Sequence, residues 1–302
     1  MYQYVFSGLR VSSEFKFTIA DCEAFDGLPD VTIRFVQDLE KPSNPIYSDD
    51  IVTAAAGDVW FCASDELAYR VIGGSEILIA RGKHVSNADV NLYLVGTGFG
   101  VLCLQRDLIP FHCSAVEHNG HAVAFSGESG VGKSTLAAAL SQLGYGHVCD
   151  DVCIANPTLT PMQVQPMPKG LKLWDDAAAQ LNIAQGTRVS ADPDFHKSYV
   201  SVDRADHAGG LLFNRIYILD NDIASEFSVH ELKGAEKHAE LRRAIYREEW
   251  LHFLQEPRKT FDLVSTLASK LQVFAFKRPD DLARIKESAG ILARHFDDGA
   301  PE

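Results

Sequence analysis

The chain is poor in positive charge. Its 28 Lys and Arg face 41 Asp and Glu, a formal net charge of −13. No segment gathers the basic face that contacts to a phosphate backbone require, which argues against a nucleic-acid partner. An apolar run of the roughly 20 residues that span a bilayer is also missing. Residues 1–10 hold no basic start leading into an apolar stretch, so the expectation is a cytoplasmic protein with no membrane partner. There is no C-x-x-C pair either. The six cysteines stand at 22, 62, 103, 113, 149 and 153, a scatter that reads as buried thiols rather than as disulfides or a zinc site. Cys149 and Cys153 can share a strand face, but two thiols do not make a metal site. Low-complexity tracts and internal repeats are absent, and 46% hydrophobic residues over 302 positions suffice for a large core in one or two domains.

Against that background, residues 127–134 read Gly-Glu-Ser-Gly-Val-Gly-Lys-Ser and fit the phosphate-binding pattern G-x-x-x-x-G-K-[ST]. Gly127, Gly130 and Gly132 let the backbone turn so that successive N–H groups along Glu128, Ser129 and Val131 point into one concave nest. Lys133, Ser134 and Thr135 then open a helix whose N-terminus favours an anion. The expected occupant is a polyphosphate, with Lys133 reaching the terminal phosphates and the Ser134 hydroxyl ligating Mg²⁺.

The surroundings suit the motif. Residues 122–126 read as a buried strand, and 134–143, with Leu136, Ala139, Leu140 and Leu143 on one side, as a helix that Gly144 closes. Upstream, residues 1–105 make a strand-rich N-terminal region. Strands are expected there at 31–35, 59–63, 67–72 and 76–80, a hairpin at Ile72-Gly73-Gly74-Ser75 and an amphipathic helix over 91–106. Residues 106–302 alternate strand and helix and form a second region, the expected site of the chemistry. A hairpin of 112–116 with 121–125 feeds the loop, a β-rich run follows at 147–154, and loops surround a helix at 174–181. Beyond these come a strand at 211–220, helices at 235–254 and 261–270, a strand at 271–277 and a closing helix at 279–296. The fold class is α/β.

A loop of this kind gives nucleotide binding. Transfer needs in addition an acid to organise Mg²⁺ and a base near the acceptor hydroxyl. Asp150 and Asp151 fit both needs, standing about 20 residues past the loop, the distance that sets a second core strand beside the first in a β-α-β unit. Adjacent strand residues face opposite ways, so the two acids serve separate contacts. His112, one strand before the loop, is the next candidate, although a lone histidine is more often a satisfied core or edge residue. Lys169, Lys197 and Arg204 are cations in a substrate-facing stretch that begins among the prolines after Asn156. For each, solvated surface charge is the alternative.

The runs Phe111-His112-Cys113-Ser114-Ala115-Val116, the loop 127–134 and Cys149-Asp150-Asp151-Val152 together resemble the catalytic domain of HPr kinase/phosphorylase over residues 111–154, with weaker similarity toward the C-terminus. The resemblance implies a P-loop core of the HPr kinase/PEP carboxykinase type and a Mg²⁺-dependent kinase that moves the γ-phosphoryl of ATP to a serine hydroxyl. It implies His112 near the phosphates beside Lys133, Asp150 as general base, and Asp151 as an acid on the metal side with Ser134. Two departures stand out: Cys113 where the family has Gly, and Met167-Pro168-Lys169-Gly170 where it has Glu-x-Arg-Gly. The N-terminal region, with Phe6-Ser7-Gly8-Leu9, is similar instead to small HPr-kinase-like proteins associated with ribosomally made peptides, among them kinases of lasso-peptide precursors. The acceptor so implied is a precursor peptide carrying a serine. The rivals are a small HPr-type phosphocarrier protein as acceptor and a nucleotide-binding regulatory module without transfer activity, and a homo-oligomer is left open.

Overall fold

A computed structural model describes every residue except 19, 21, 166–169, 204, 206–209, 223–225 and 299–302. In the first part of the chain, side-chain alternation decides the architecture. Strands β1 (Tyr2–Phe6), β2 (Leu9–Ser13), β3 (Val31–Val36), β4 (Tyr47–Ser48), β5 (Val52–Ala55), β6 (Asp58–Ser64), β7 (Leu67–Ile72) and β8 (Glu76–Arg81) turn Tyr4, Val11, Ile33, Phe61, Tyr69 and Ile79 inward and most of the intervening side chains outward. Among the described residues they form one eight-stranded sheet in the order β1-β2-β3-β8-β7-β6-β5-β4. The four strands expected here are present, and β1, β2, β4 and β5 add to them. Gly73 and Gly74, both at positive φ, close the β7–β8 hairpin, in which Ile72 faces Glu76.

The helix expected at 91–106 is α1 (Asn87–Tyr93) and α2 (Phe99–Gln105) joined by a π-helical turn at Leu94–Gly98. Its glycines have a steric reason. A Cβ on Gly96 would stand 2.8 Å from the Tyr246 hydroxyl oxygen, and one on Gly100 would stand 2.9 Å from the Tyr246 ring. A close contact thus outweighs the propensity cost of glycine in a helix.

The remaining strands are β9 (Ile109–Phe111), β10 (Cys113–His118), β11 (His121–Ser126), β12 (His147–Cys149), β13 (Cys153–Asn156), β14 (Gln163–Val164), β15 (Leu171–Trp174), β16 (Gln185–Arg188), β17 (Lys197–Val200), β18 (Leu211–Asp222), β19 (Ser228–Glu231) and β20 (Gln272–Pro279). β15, β17 and β16 pair into a small sheet, and the others form a larger one centred on β12-β10-β11-β18, with β20 beside β18. Helices α3 (Lys133–Ser141), α4 (Asp175–Leu181), α5 (Gly234–Arg243), α6 (Leu251–Leu254), α7 (Pro257–Lys270) and α8 (Ile285–Asp298) complete a mixed α/β architecture. β11 is apolar residue after residue because both its faces are covered. Ala122 and Ala124 join the core shared with the first sheet, while Val123 and Phe125 join a second core with Leu136 and Leu140 of α3 and Leu292 and Phe296 of α8. Among the described residues, no helix is long and apolar enough to cross a membrane.

The structure corrects the expectations in places. β12 does not lie beside β11. β10 stands between them, antiparallel to both, and β11 takes β18 as its parallel partner; spacing along the chain allows a strand to return but does not say which edge is open. The run 147–154 is not one strand. It breaks at Asp150-Asp151-Val152, where Asp151 adopts φ +72°, so a turn and not strand alternation separates the two acids. Leu143 lies past the end of α3 and is exposed, with Gly144 following at φ +98°. The helix expected at 235–254 stops at Arg243 and resumes at Leu251. In the gap the backbone is tied to β9 and its neighbour: the His112 N–H donates to the Ala244 carbonyl and the Tyr246 N–H to the Pro110 carbonyl, both at 2.7 Å.

Candidate functional site

β11 runs directly into the glycine loop, and α3 begins at its far end with Lys133. Sterics explain two of the glycines. Gly127 has φ +136°, and a Cβ there would lie 2.7 Å from the Leu219 carbonyl oxygen on β18. Gly132 has φ +91°, and its Cβ would collide with the Arg278 guanidinium. Arg278, buried on β20, donates from Nη2 to the Val131 carbonyl at 2.6 Å and so props the loop from beneath. Its Nε is buried without a hydrogen-bond partner among the described residues, and burial pulls its pKa below the ordinary guanidinium value. Glu128, Ser129 and Gly130 are exposed at the rim, whereas Val131, Lys133 and Thr135 are buried. Lys133 folds back, its Nζ donating to the Gly127 and Glu128 carbonyls at 2.8 and 2.9 Å. Burial lowers its pKa against the pull of Asp151 and Asp150.

Ser134, on the first turn of α3, donates from Oγ to Asp150 Oδ1 at 2.7 Å. The same carboxylate oxygen accepts from Ser114 Oγ on β10 at 2.6 Å, and Oδ2 accepts from the Lys172 N–H on β15 at 2.9 Å. Asp150 therefore joins three elements at one fixed point. Asp151 turns the other way: Oδ2 accepts from Lys172 Nζ at 2.5 Å, and Oδ1 lies 3.4 Å from His112 Nδ1. Burial alone would raise the Asp151 pKa, but Lys172 foremost, then His112, hold it well below the usual carboxylate range. Burial alone would likewise lower Lys172, yet the Asp151 carboxylate holds it above its ordinary value. The pair is ionised at neutral pH.

His112 Nδ1 lies 3.2 Å from the Asp151 carbonyl oxygen. An Nδ1–H donating there leaves Nε2 as the acceptor nitrogen. Burial, with Lys133 second, lowers the His112 pKa despite the nearby carboxylates, which favours the neutral ring. Lys197, half-buried on β17, stands over the Trp174 ring at 5.6 Å, and burial lowers its pKa against the pull of Asp150.

An open cleft of about 1370 Å³ fronts these groups. His112, Asp151, the loop residues 126–131 and the segment 243–249 line it, and Lys133, Ser134 and Asp150 follow or contact those residues without being part of the lining. The structure thus brings His112, Lys133, Ser134, Asp150 and Asp151 together, with Lys197 beside the acids. Lys169 and Arg204 lie outside the described residues. The residues that pattern alone misses are Lys172, Tyr246, Arg247 and Arg278. Lys172 sits between Leu171 and Leu173, where alternation reads as a solvated face. Arg247 donates to Thr97 Oγ1 from Nε and Nη2 at 3.3 and 3.1 Å, binding the cleft wall to the π turn of the N-terminal region. A buried lysine this close to an acid has no local signal, since its partner lies 21 residues away.

No family model and no curated protein matches the chain. Among solved structures, it is similar to the Hpr(Ser) kinase/phosphatase from Coxiella burnetii, at 13% sequence identity and a TM-score of 0.30 over 63% of this chain and 99% of that chain.

Proposed function

We propose that this protein is a Mg²⁺-dependent kinase that binds ATP on the loop 127–135 and transfers the γ-phosphoryl to a serine hydroxyl presented in the cleft. The observation that carries the reading is the Ser134–Asp150 hydrogen bond. A hydroxyl on the first turn of the loop helix, set against a carboxylate, is a hard-oxygen pair that fits Mg²⁺ beside a polyphosphate. Ser134 and Asp150 would hold the ion, which when bound neutralises charge on the phosphates. The glycine loop and the α3 N-terminus favour the phosphates themselves. Lys133, released from the Gly127 and Glu128 carbonyls, reaches the terminal ones.

Asp151, ionised and lining the cleft, accepts the serine proton, and Lys172 holds it in place. Neutral His112 offers Nε2 close to the same point. This assignment reverses the roles that the family resemblance implies for the two acids: Asp150 is turned to Ser134, and Asp151 faces the cleft. A carboxylate held at low pKa is a weak base, so it takes the proton late, after the bond to the leaving phosphate has loosened.

The acceptor we propose is a ribosomally made precursor peptide with a neutral or mildly basic segment around its serine. The formal net charge of −13 disfavours an acidic one, while of the glutamates that line the cleft Glu240, Glu248 and Glu249 are paired with Arg243, Arg242 and Arg247. Incubating the protein with Mg-ATP and either a serine-bearing precursor peptide or HPr, then weighing the products, tests this. One added phosphate on the peptide is expected. Phosphate on HPr alone moves the acceptor to a carrier protein, and ATP bound without any transfer leaves only a nucleotide-binding module.

A further inference from the structure

Three of the cysteines that look scattered along the chain converge. Cys113 opens β10, Cys149 ends β12 and Cys153 opens β13. All three are fully buried, none is in a disulfide, and their Sγ atoms lie within 4.8 Å of one another. We propose that Cys113, Cys149 and Cys153 form a buried three-thiolate site for a single soft d¹⁰ cation of the Cu⁺ or Zn²⁺ class.

Metal–thiolate bonds of about 2.3 Å set the sulfurs of such a set roughly 4 Å apart, so the three side chains need to move little to close on an ion. Thiolates select soft cations over Mg²⁺, and the site therefore does not compete with the oxygen pair Ser134 and Asp150 nearby. Among the described residues no histidine, carboxylate or fourth cysteine joins the group. A three-coordinate set suits Cu⁺ better than Zn²⁺, which prefers four ligands. Binding exchanges thiol protons for the metal and releases them to solvent, with no change of oxidation state.

The position gives the site a consequence. Cys149 and Cys153 bracket Asp150-Asp151-Val152, and Cys113 stands between His112 and Ser114, which contact Asp151 and Asp150 respectively. An ion bound here clamps the turn that aims Asp150 at Ser134 and Asp151 at Lys172. The alternative is three thiols packed as small apolar side chains, and the two differ in what the protein retains. The inference does not depend on the kinase reading.

The full-length protein, reduced and stripped of metal, is titrated anaerobically with Cu⁺ buffered by bicinchoninate and, separately, with Zn²⁺ against a chromophoric chelator. One equivalent per chain is expected to survive gel filtration, with a sulfur-to-metal absorption band for Cu⁺, and the two titrations identify the ion. Cys149→Ser and Cys153→Ser should weaken binding at least about ten-fold, while Cys22→Ser and Cys62→Ser leave it unchanged. X-ray absorption on the loaded wild type covers the case in which a cluster variant fails to fold. Three sulfur neighbours support the site, and oxygen or nitrogen neighbours alone overturn it. A folded wild type that retains no metal, or retention insensitive to Cys149 and Cys153, also overturns it.

Discussion

Ser134 and Asp150 meet hydroxyl to carboxylate at 2.7 Å, while Asp151, the next residue, turns away to Lys172 and His112. This division gives the two isosteric substitutions opposite outcomes. Asp150→Asn should weaken Mg²⁺-dependent ATP binding, because the ion loses a charged oxygen. Asp151→Asn should leave binding intact and lower kcat by a factor on the order of 10². Calorimetric titration with Mg-ATP and turnover on both variants decide it. The reverse pattern would return the base to Asp150 and the metal side to Asp151.

Lys172 and Asp151 form a largely buried ion pair, with side chains 10% and 27% exposed. Removing one partner of a buried pair costs roughly 3–5 kcal/mol, and the partial exposure of Asp151 brings the figure for Lys172→Met to about 2–3 kcal/mol. Denaturant unfolding measures it. Combining Lys172→Met with Asp151→Asn should recover part of the loss, since the stranded charge is then gone. A single variant as stable as the wild type would show that the pair contributes nothing.

The folded state favours neutral His112 more strongly than the unfolded chain does. A depressed pKa of this kind contributes stability that is whole above the unfolded value, about 6.5, and is lost as pH falls through the folded one. Between about pH 7 and pH 5 the wild type should therefore lose more stability than His112→Gln does. Denaturant midpoints of both proteins across that range provide the check, and parallel curves would remove His112 as a source of the slope.

Gly96→Ala places a methyl group 2.8 Å from the Tyr246 hydroxyl oxygen. The Tyr246 backbone is tied to Pro110, so the ring has to shift where it lines the cleft. A stability loss of about 1–3 kcal/mol is expected from overpacking, together with a raised KM for the acceptor and unchanged ATP binding. Thermal unfolding and acceptor saturation curves measure the two effects, and a variant unaltered in both would mean that Tyr246 yields at no cost.

Local pattern made much of this legible from sequence. The loop, the strand before it and the helix after it depend on near neighbours, and β3, β6, β7 and β8 follow from alternation. Lys172 and Ser114 became visible only in the fold. Ser114, although it stands in the run 111–116, reaches Asp150 across 36 residues and Lys172 reaches Asp151 across 21, and neither contact has a local feature that marks it. The break at Asp150 and Asp151 was hidden because a left-handed conformation falls on Asp151, where glycine is the usual signal. The cysteine cluster draws one residue from each of three strands, so spacing says nothing of it. Gly96 and Gly100 read as flaws in a helix until Tyr246 is set against them.

Whether the loop holds Mg-ATP for transfer is decided most directly by phosphoryl transfer from ATP in the wild type and in Lys133→Ala, each with Mg²⁺ and with a chelator, and with thermal unfolding recorded for both. The wild type is expected to phosphorylate the serine-bearing peptide only in the presence of Mg²⁺. Lys133→Ala is expected to stay folded and to lose transfer by at least a factor on the order of 10²–10³, since the developing charge on the γ-phosphoryl loses its nearest cation. Undiminished transfer by a folded Lys133→Ala would contradict a phosphate site on this loop.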